Sequence, residues 1–373
     1  MIDQIEIVPV AVPLRRPHKM AVGTVHKLES IIIQVRTSDG VVGIGEAAPS
    51  PFVSHETRES VLAALSKYLG PWLIGKDPFN IEATLGAFAR LMKGNSFAKA
   101  AIDLACHDIL GKVLGVPAYN LLGGKVRDEI PLSWSLASSD VKADLDEAHD
   151  ILRREGVTTF KIKAGVLRPK EDVYRIRKIR EVLGDDIDLR VDANQAWTPE
   201  VAVSVIKEIE ECNITFVEQP VPGWNLDGMR RVASDVTVPI MVDEGLLTPD
   251  DALRHVVSGA ADILGIKVMK HGGLRGSKKI AAIAEAAGLS CYLGSRMALT
   301  VCAAASVHFG ISTHEIRYGC EEFCDLLTED VIAVNPVSVK NGSVQPFEGK
   351  GLGVELDPVK IARYQVGERV IVR

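Results

Sequence analysis

Cysteine is scarce and scattered. The chain has 373 residues and six cysteines, Cys106, Cys212, Cys291, Cys302, Cys320 and Cys324, with no C-x-x-C pair. That spacing excludes a disulfide-stapled scaffold and reads as buried or incidental thiols in a reducing compartment. His314 lies near Cys320 and Cys324, but no second ligand pair follows at zinc-finger spacing, so structural zinc is not expected. No apolar run reaches the length of a membrane span. The opening MIDQIEIVPVAVPL carries Asp3 and Glu6 and lacks a signal peptide's basic start and apolar core. Positive charge is not in excess: 43 Lys and Arg face 49 Asp and Glu, a net charge of −6. This argues against a nucleic-acid surface, which is usually basic. Low-complexity segments are absent too. The expectation is a cytoplasmic protein with neither a membrane nor a nucleic-acid partner.

What is present is an ordinary globular composition, 47% hydrophobic and 25% charged, on a chain too long for one small core. The first 125 residues read as α+β. QIEIVPVAVPL and SIIIQVRTSDGVVGIGEA are rich in β-branched residues, with a hairpin turn at Ser38-Asp39-Gly40. Helical patterns follow. In SFAKAAIDLACHDILGKVLG, residues Ile102, Ala105, Cys106, Ile109 and Val113 share one stripe, and Ser96 is the expected N-cap. Two glycines in LLGGKVRDE mark a boundary. From residue 126 the rhythm changes to short strands alternating with amphipathic helices. The strands read IPLSWSL, TFKIKA, DLRVDA, ITFVEQ, PIMVDE, ILGIKVM and SCYLG, with an eighth, weaker one near RYGCEEF. About eight βα units make a TIM-type barrel. The expected domains are a cap at 1–125, a barrel at 126–340, and a segment at 341–373 that returns to the cap.

The strand ends carry Lys163, Asp192, Glu218, Asp243, Lys267 and, in the eighth, Glu321. In a parallel barrel these ends meet at one rim, where active sites are built. Asp192, Glu218 and Asp243 come from three consecutive strands and form an all-oxygen set that suits Mg²⁺ or Mn²⁺. Without a cation three such anions repel. A strand places Lys161 on the face of Lys163, and Asn194 on that of Asp192. An exposed lysine, with a pKa of about 10.4, is a poor base at neutral pH. Burial beside a second ammonium and a metal ion lowers that value, so one lysine of the pair is expected to move protons and the other to tune it. Lys163 and Lys267, four strands apart, would flank the α-carbon of a metal-bound carboxylate. The metal would stabilise the negative charge left by proton removal or by addition.

With these residues in place the chain resembles the enolase superfamily, in particular the muconate lactonizing enzyme (muconate cycloisomerase) subgroup. The stretches FKIKAG, RVDANQAW, FVEQPVPGWNLDGM, PIMVDEG, GIKVMKHGG and GCEEFCDLL carry the likeness. In the first domain AKAAIDLACHDILGKVLGVPAYNLLGG and RPHKMA add to it. The resemblance implies an α/β fold: a modified (β/α)7β barrel with an α+β capping domain. It implies metal ligation by Asp192, Glu218 and Asp243 and acid/base roles for Lys163 and Lys267, a mechanism general to that superfamily. Lys161 becomes the first lysine of its K-x-K motif. His18 and Lys19 fall in the loop that closes the cavity in relatives, and Asn194, Glu321 and Phe323 complete the expected substrate contacts. Glu321 and Phe323 stand where cycloisomerases show TELF. The implied function is cycloisomerisation of a small carboxylate substrate with Mg²⁺ or Mn²⁺, in a homo-oligomer. The alternatives are a racemase or epimerase of an amino acid derivative, an o-succinylbenzoate synthase-like dehydratase, and a carboxylate-binding protein without turnover. Specificity is expected in the cap, at Arg16 to Val25 and Pro51 to Ser54, because loops vary while rim chemistry is shared.

Overall fold

The computed structural model describes residues 1–20, 23–51, 54–295, 297–321 and 326–373, with backbone alone at Lys19 and Met20. The cap begins with a long antiparallel hairpin, Ile2–Met20 against Gly23–Thr37, continued by Val42–Ala47 after a turn in which Gly40 has φ +87°. The helix Ser96–Leu114 lies directly on this sheet. Glycine makes that approach possible: a Cβ at Gly45 would stand 1.9 Å from the Ala101 carbonyl oxygen, and one at Gly43 2.2 Å from that of Ala105. A single apolar stripe understates this helix. It is buried on nearly all sides from Phe97 to Ile109, because sheet and barrel sandwich it, while Val113 points to solvent. Its start is also different. Asn95 occupies the cap position, and the carboxylate of Glu56 accepts from the Phe97 N–H at 3.1 Å and the Ser96 hydroxyl at 3.3 Å. A carboxylate reaching in from a neighbouring loop replaces the local cap.

Eight parallel strands form the barrel in chain order: Ser133–Leu136, Thr159–Lys163, Asp188–Asp192, Ile214–Glu218, Ile240–Val242, Ile263–Ile266, Ser290–Leu293 and Ile316–Cys320. A bridge between Leu132 and Cys320 brings the last strand to the first. The eight expected strands are all there. The register sets Lys163 beside Asp192 and Asp192 beside Glu218. Lower in the barrel, Phe216, Met241, Ile263 and Tyr292 form a compact layer. The Arg190 guanidinium sits 5.1 Å from the ring of Phe216 and 5.4 Å from that of Tyr292, a cation–π floor under the rim. The tail divides its pairing: Ser343–Val344 joins Ile130–Pro131 just before the first barrel strand, while Gln365 bridges Val10 and Val370–Val372 adds a strand to the cap sheet. Cys106, Cys212, Cys291, Cys302 and Cys320 are buried, and Cys324 lies outside the described residues. Among the described residues no helix is long and apolar enough to cross a membrane.

Two cap carboxylates dock the cap by capping barrel helices. Asp103 accepts from the Leu274 N–H at 2.6 Å, at the start of the helix Leu274–Ala287 after the sixth strand. Glu46, fully buried, accepts from Leu299 N–H at 2.8 Å and Cys302 N–H at 2.9 Å, at the start of Thr300–Ile311 after the seventh. Each bond satisfies an orphan helix donor with a buried carboxyl oxygen. Burial nevertheless pushes the Glu46 carboxyl up to about 8, against the pull of these donors. A raised folded-state value means that folding takes up a proton, so this contribution to stability is complete below about 4.5 and is lost as pH rises through about 8. In Glu46→Gln the decline of Tm between pH 5 and pH 8 should therefore be shallower than in the parent chain. Parallel slopes in the two proteins would show that Glu46 is not the titrating group.

Candidate active site

The strand ends meet at the interface of barrel and cap. A cavity of about 350 Å³ is lined by Lys163, Asn194, Asp243, Lys267 and Glu321 from the barrel and by His18 from the cap. Asp192, Glu218 and Lys161 are buried alongside these residues and do not line the cavity. Of the expected contacts, the side chain of Lys19 and all of Phe323 lie outside the described residues. So do Ala21, Val22, Phe52 and Val53 in the two cap segments expected to set specificity. From those segments His18, Thr24, Val25 and Pro51 line this cavity, and Ser54 lines a second one of about 310 Å³. The two cavities share Asp243, Glu244 and Lys267. His271 reaches neither: its Nδ1 faces the Leu247 carbonyl at 3.1 Å.

Charge is compensated pair by pair. The Lys161 ammonium, with no exposure, donates to Glu218 at 2.8 Å and Glu321 at 2.7 Å and lies 5.1 Å from the Tyr292 ring. Glu321 also accepts from Ser135 through its other oxygen. Lys163 donates to Asp192 at 2.5 Å and to the Asn194 side-chain oxygen at 3.3 Å. Asp243 is held by two ammoniums, Lys267 at 2.5 Å and Lys270 at 2.6 Å. Among the protein's own groups the facing acids set the direction at Lys161 and Lys267. Burial opposes the charge of Lys161, but Glu218 and Glu321 outweigh it and hold its pKa well above the ordinary value. Asp243 and Glu218 do the same for Lys267. The reason is geometric: facing carboxylates stand closer to each amine than the other lysine does. His18 is driven the other way, to about 4, by burial and by Lys163, which leaves its imidazole neutral at pH 7.

Sequence reasoning missed Glu244, Lys270, Ser295, Met297 and the outgoing hairpin strand from His26 to Glu29. Face alternation hides Glu244, since it predicts opposite sides for neighbours. The fifth strand ends at Val242, however, so Asp243 and Glu244 both sit in the turn beyond it. Lys270 had a signal: it follows Lys267 by one helical turn in KVMK. Asn194 reaches the cavity by a turn rather than by strand parity, with φ +41° followed by +68° at Gln195.

Residues 2–123 match the family described as mandelate racemase / muconate lactonizing enzyme, N-terminal domain, and residues 143–360 match enolase C-terminal domain-like. A chloromuconate cycloisomerase of Cupriavidus necator is 37% identical over 97% of this chain and 98% of its own. The crystal structure of a muconate lactonizing enzyme from Pseudomonas fluorescens, complexed with muconolactone, superposes with a TM-score of 0.95 at 34% identity, over 98% of this chain and 99% of that one. An N-succinyl Arg/Lys racemase from Bacillus cereus gives 0.95 at 33%, over the whole of both chains. The chain belongs to the mandelate racemase/muconate lactonizing enzyme family. Its members are isomerases and relatives that depend on a divalent metal.

The donors of this family member fit such an ion. Asp192, Glu218 and Asp243 offer only hard oxygens, and Glu218 Oε1, fully buried, meets no donor among the described residues. A second oxygen in the same state is Glu244 Oε2. Asp192 Oδ2, Glu218 Oε2 and both Asp243 oxygens are turned onto ammoniums, Asp192 Oδ1 accepts from the Asn194 backbone N–H, and among the described residues no three acid, His or Cys side chains close into a ligand set. A cation would take the place of part of this lysine contact. Burial, with Asp192 next, raises Glu218 to about 8, the behaviour of an acid that needs more positive charge than it has.

The Lys161 pairing generates a test. Removing one partner of a buried ion pair costs about 3–5 kcal/mol, because the survivor stays buried and unpaired. Lys161→Met should lower unfolding stability by about that amount at pH 7.5 and by less at pH 5, where the stranded carboxyls can take up protons. Denaturant titration at both pH values checks this; an unchanged midpoint at pH 7.5 would remove Lys161 from the role assigned to it.

Proposed function

We propose that the chain is a Mg²⁺- or Mn²⁺-dependent muconate cycloisomerase-like enzyme acting on a small unsaturated carboxylate. The observation that carries this reading is that Lys163 and Lys267 line one cavity together with Asp243, the last of three acids on consecutive strands. The whole-chain likeness to chloromuconate and muconate cycloisomerases supports the substrate class. Asp192, Glu218 and Asp243 would hold the cation, which supplies electrostatic stabilisation for the charge that develops on the substrate carboxylate. Everything else falls to the chain. Asn194, Glu321 and His18 shape the pocket around the bound acid. In lactonization one substrate carboxylate adds to a double bond conjugated with the other; a C–O bond forms and the π pair moves toward the second carboxylate. Lys163 then delivers its ammonium proton to the α-carbon. Lys267, on the far side, stays charged beside the developing anion. The cap closes the cavity and excludes water.

A second reading has its own support. The N-succinyl Arg/Lys racemase matches across the whole of both chains, and two lysines on one cavity also serve a two-base exchange of an α-proton.

Two measurements decide. Loss of outer-shell support alone lowers metal affinity by about 10–100-fold, so Asp192→Ala, Glu218→Ala and Asp243→Ala should each weaken Mn²⁺ binding by more than about 10²-fold in an EPR titration. Parent-like affinity in all three would remove the metal site. Deuterium exchange separates the reactions. A cycloisomerase loses α-carbon exchange altogether in Lys163→Ala, with a rate loss on the order of 10²–10⁴-fold. A two-base racemase keeps one-sided exchange in both Lys163→Ala and Lys267→Ala, and that result would replace the first reading by the second.

A further inference from the structure

Among the described residues the Glu244 side chain has one hydrogen-bond partner. Its Oε1 accepts from the Asn194 side-chain Nδ2 at 3.1 Å. Its Oε2 is buried and meets no donor among the described residues. Asn194 is 4% exposed and tied at three points: its backbone N–H donates to Asp192 Oδ1 at 2.9 Å, its Nδ2 to Glu244, and its Oδ1 accepts from the Lys163 ammonium at 3.3 Å.

An asparagine amide has two ends of nearly equal shape and opposite polarity. Only the oxygen end can face an ammonium. Turned round, Asn194 would present an N–H donor to Lys163, two donors face to face. The backbone bond to Asp192 leaves this choice open, since it does not involve the amide. Glu244 closes it. Oε1 accepts whether or not Oε2 carries a proton, so it takes the Nδ2 end and leaves Oδ1 for Lys163. Hydrogen bonds thus link the residue after a candidate metal ligand, through Asn194, to a lysine of the cavity.

We propose that Glu244 is a positioning residue that, through the Asn194 amide, fixes where the Lys163 ammonium points. The inference rests on the reading of Lys163 as the proton-moving group. It assigns Glu244 neither metal ligation nor proton transfer. A glutamine at 244 still offers a side-chain carbonyl oxygen to Nδ2, whereas alanine offers nothing. A charge or ligand role gives the opposite pattern, because both substitutions remove the negative charge.

The experiment uses Glu244→Gln, Glu244→Ala, Asn194→Ala and the double alanine variant, with cis,cis-muconate and Mn²⁺. Misplacing a reacting group by about 1 Å costs about 10²-fold. Glu244→Ala should therefore lose about 10–10²-fold in kcat, with KM within about 3-fold, and Mn²⁺ affinity should stay within about 2-fold by EPR. Glu244→Gln should keep kcat within about 3-fold of the parent, and the double variant should be no slower than Asn194→Ala alone. A crystal structure of Glu244→Ala should show the Asn194 amide turned or the Lys163 side chain moved. Glutamine as damaging as alanine, with weakened Mn²⁺, would overturn the proposal in favour of a charge or ligand role. Independent losses in the double variant, or an unmoved amide in Glu244→Ala, would overturn it as well. A parent enzyme inert toward muconate would sink the substrate reading instead, and the crystal structure with the Mn²⁺ titration would then decide the inference alone.

Discussion

The Lys161 ammonium, with no exposure to solvent, stands between Glu218 and Glu321 at 2.8 and 2.7 Å. The ammonium lowers the cost of charge on both acids, because an isolated charge in a protein interior loses several kcal/mol of hydration, although burial still raises Glu218 to about 8. The same condition governs the rest of the rim. Asp192 has Lys163, and Asp243 has Lys267 and Lys270. Four acids and four lysines therefore neutralise one another across six of the eight strands or the turns that follow them. Such a set is poised rather than inert: each amine already touches the oxygen whose charge it would yield to a cation or a substrate carboxylate. That gives the two lysines of TFKIKAG separate duties. Lys161 neutralises buried acids, and Lys163 faces the cavity.

The cap is joined to this rim by the same kind of force. Asp103 and Glu46 cap the helices that follow the sixth and seventh strands. The turns before those helices carry Lys267, Lys270, Ser295 and Met297, all on the walls of the two cavities. The cap is thus docked onto the helices whose preceding turns line the cavities. Gly43 and Gly45 allow it by letting the helix that carries Asp103 sit directly on the sheet that carries Glu46. The acids and lysines of the strand ends come from the barrel, while His18 and the strand from Thr24 to Glu29 bring cap side chains to the same cavity.

The barrel was legible because its signal is periodic. Short strands rich in apolar residues recur after helices, and Lys163, Asp192, Glu218, Asp243 and Lys267 each directly follow an apolar residue at a strand end. The cap was legible as α+β for the same reason, down to the turn at Gly40. Less legible were features made by contact between distant segments. The helix Ser96–Leu114 looks one-sided in sequence and is buried on nearly all sides, since its second partner is a barrel helix far along the chain. Glu56 gives no local sign that it will cap that helix. The tail's division between the strand before the barrel and the cap sheet depends on which strand edges stand open, and strand edges are not written in any one segment.

In the site the division is sharper. By itself the sequence determined the chemistry available, with acids and lysines at successive strand ends, and it determined the barrel, because strand-end position follows from periodicity alone. Tertiary structure decided the state of those groups. Two adjacent lysines suggest mutual repulsion and lowered pKa values, yet Lys161 is driven upward because Glu218 and Glu321, from other strands, are its nearest charges. Glu244 should alternate away from Asp243, yet the strand ends before both and the turn brings Glu244 onto Asn194. Periodicity is local and survives in one dimension, whereas electrostatics and turn geometry depend on distances that exist only after the chain has closed on itself.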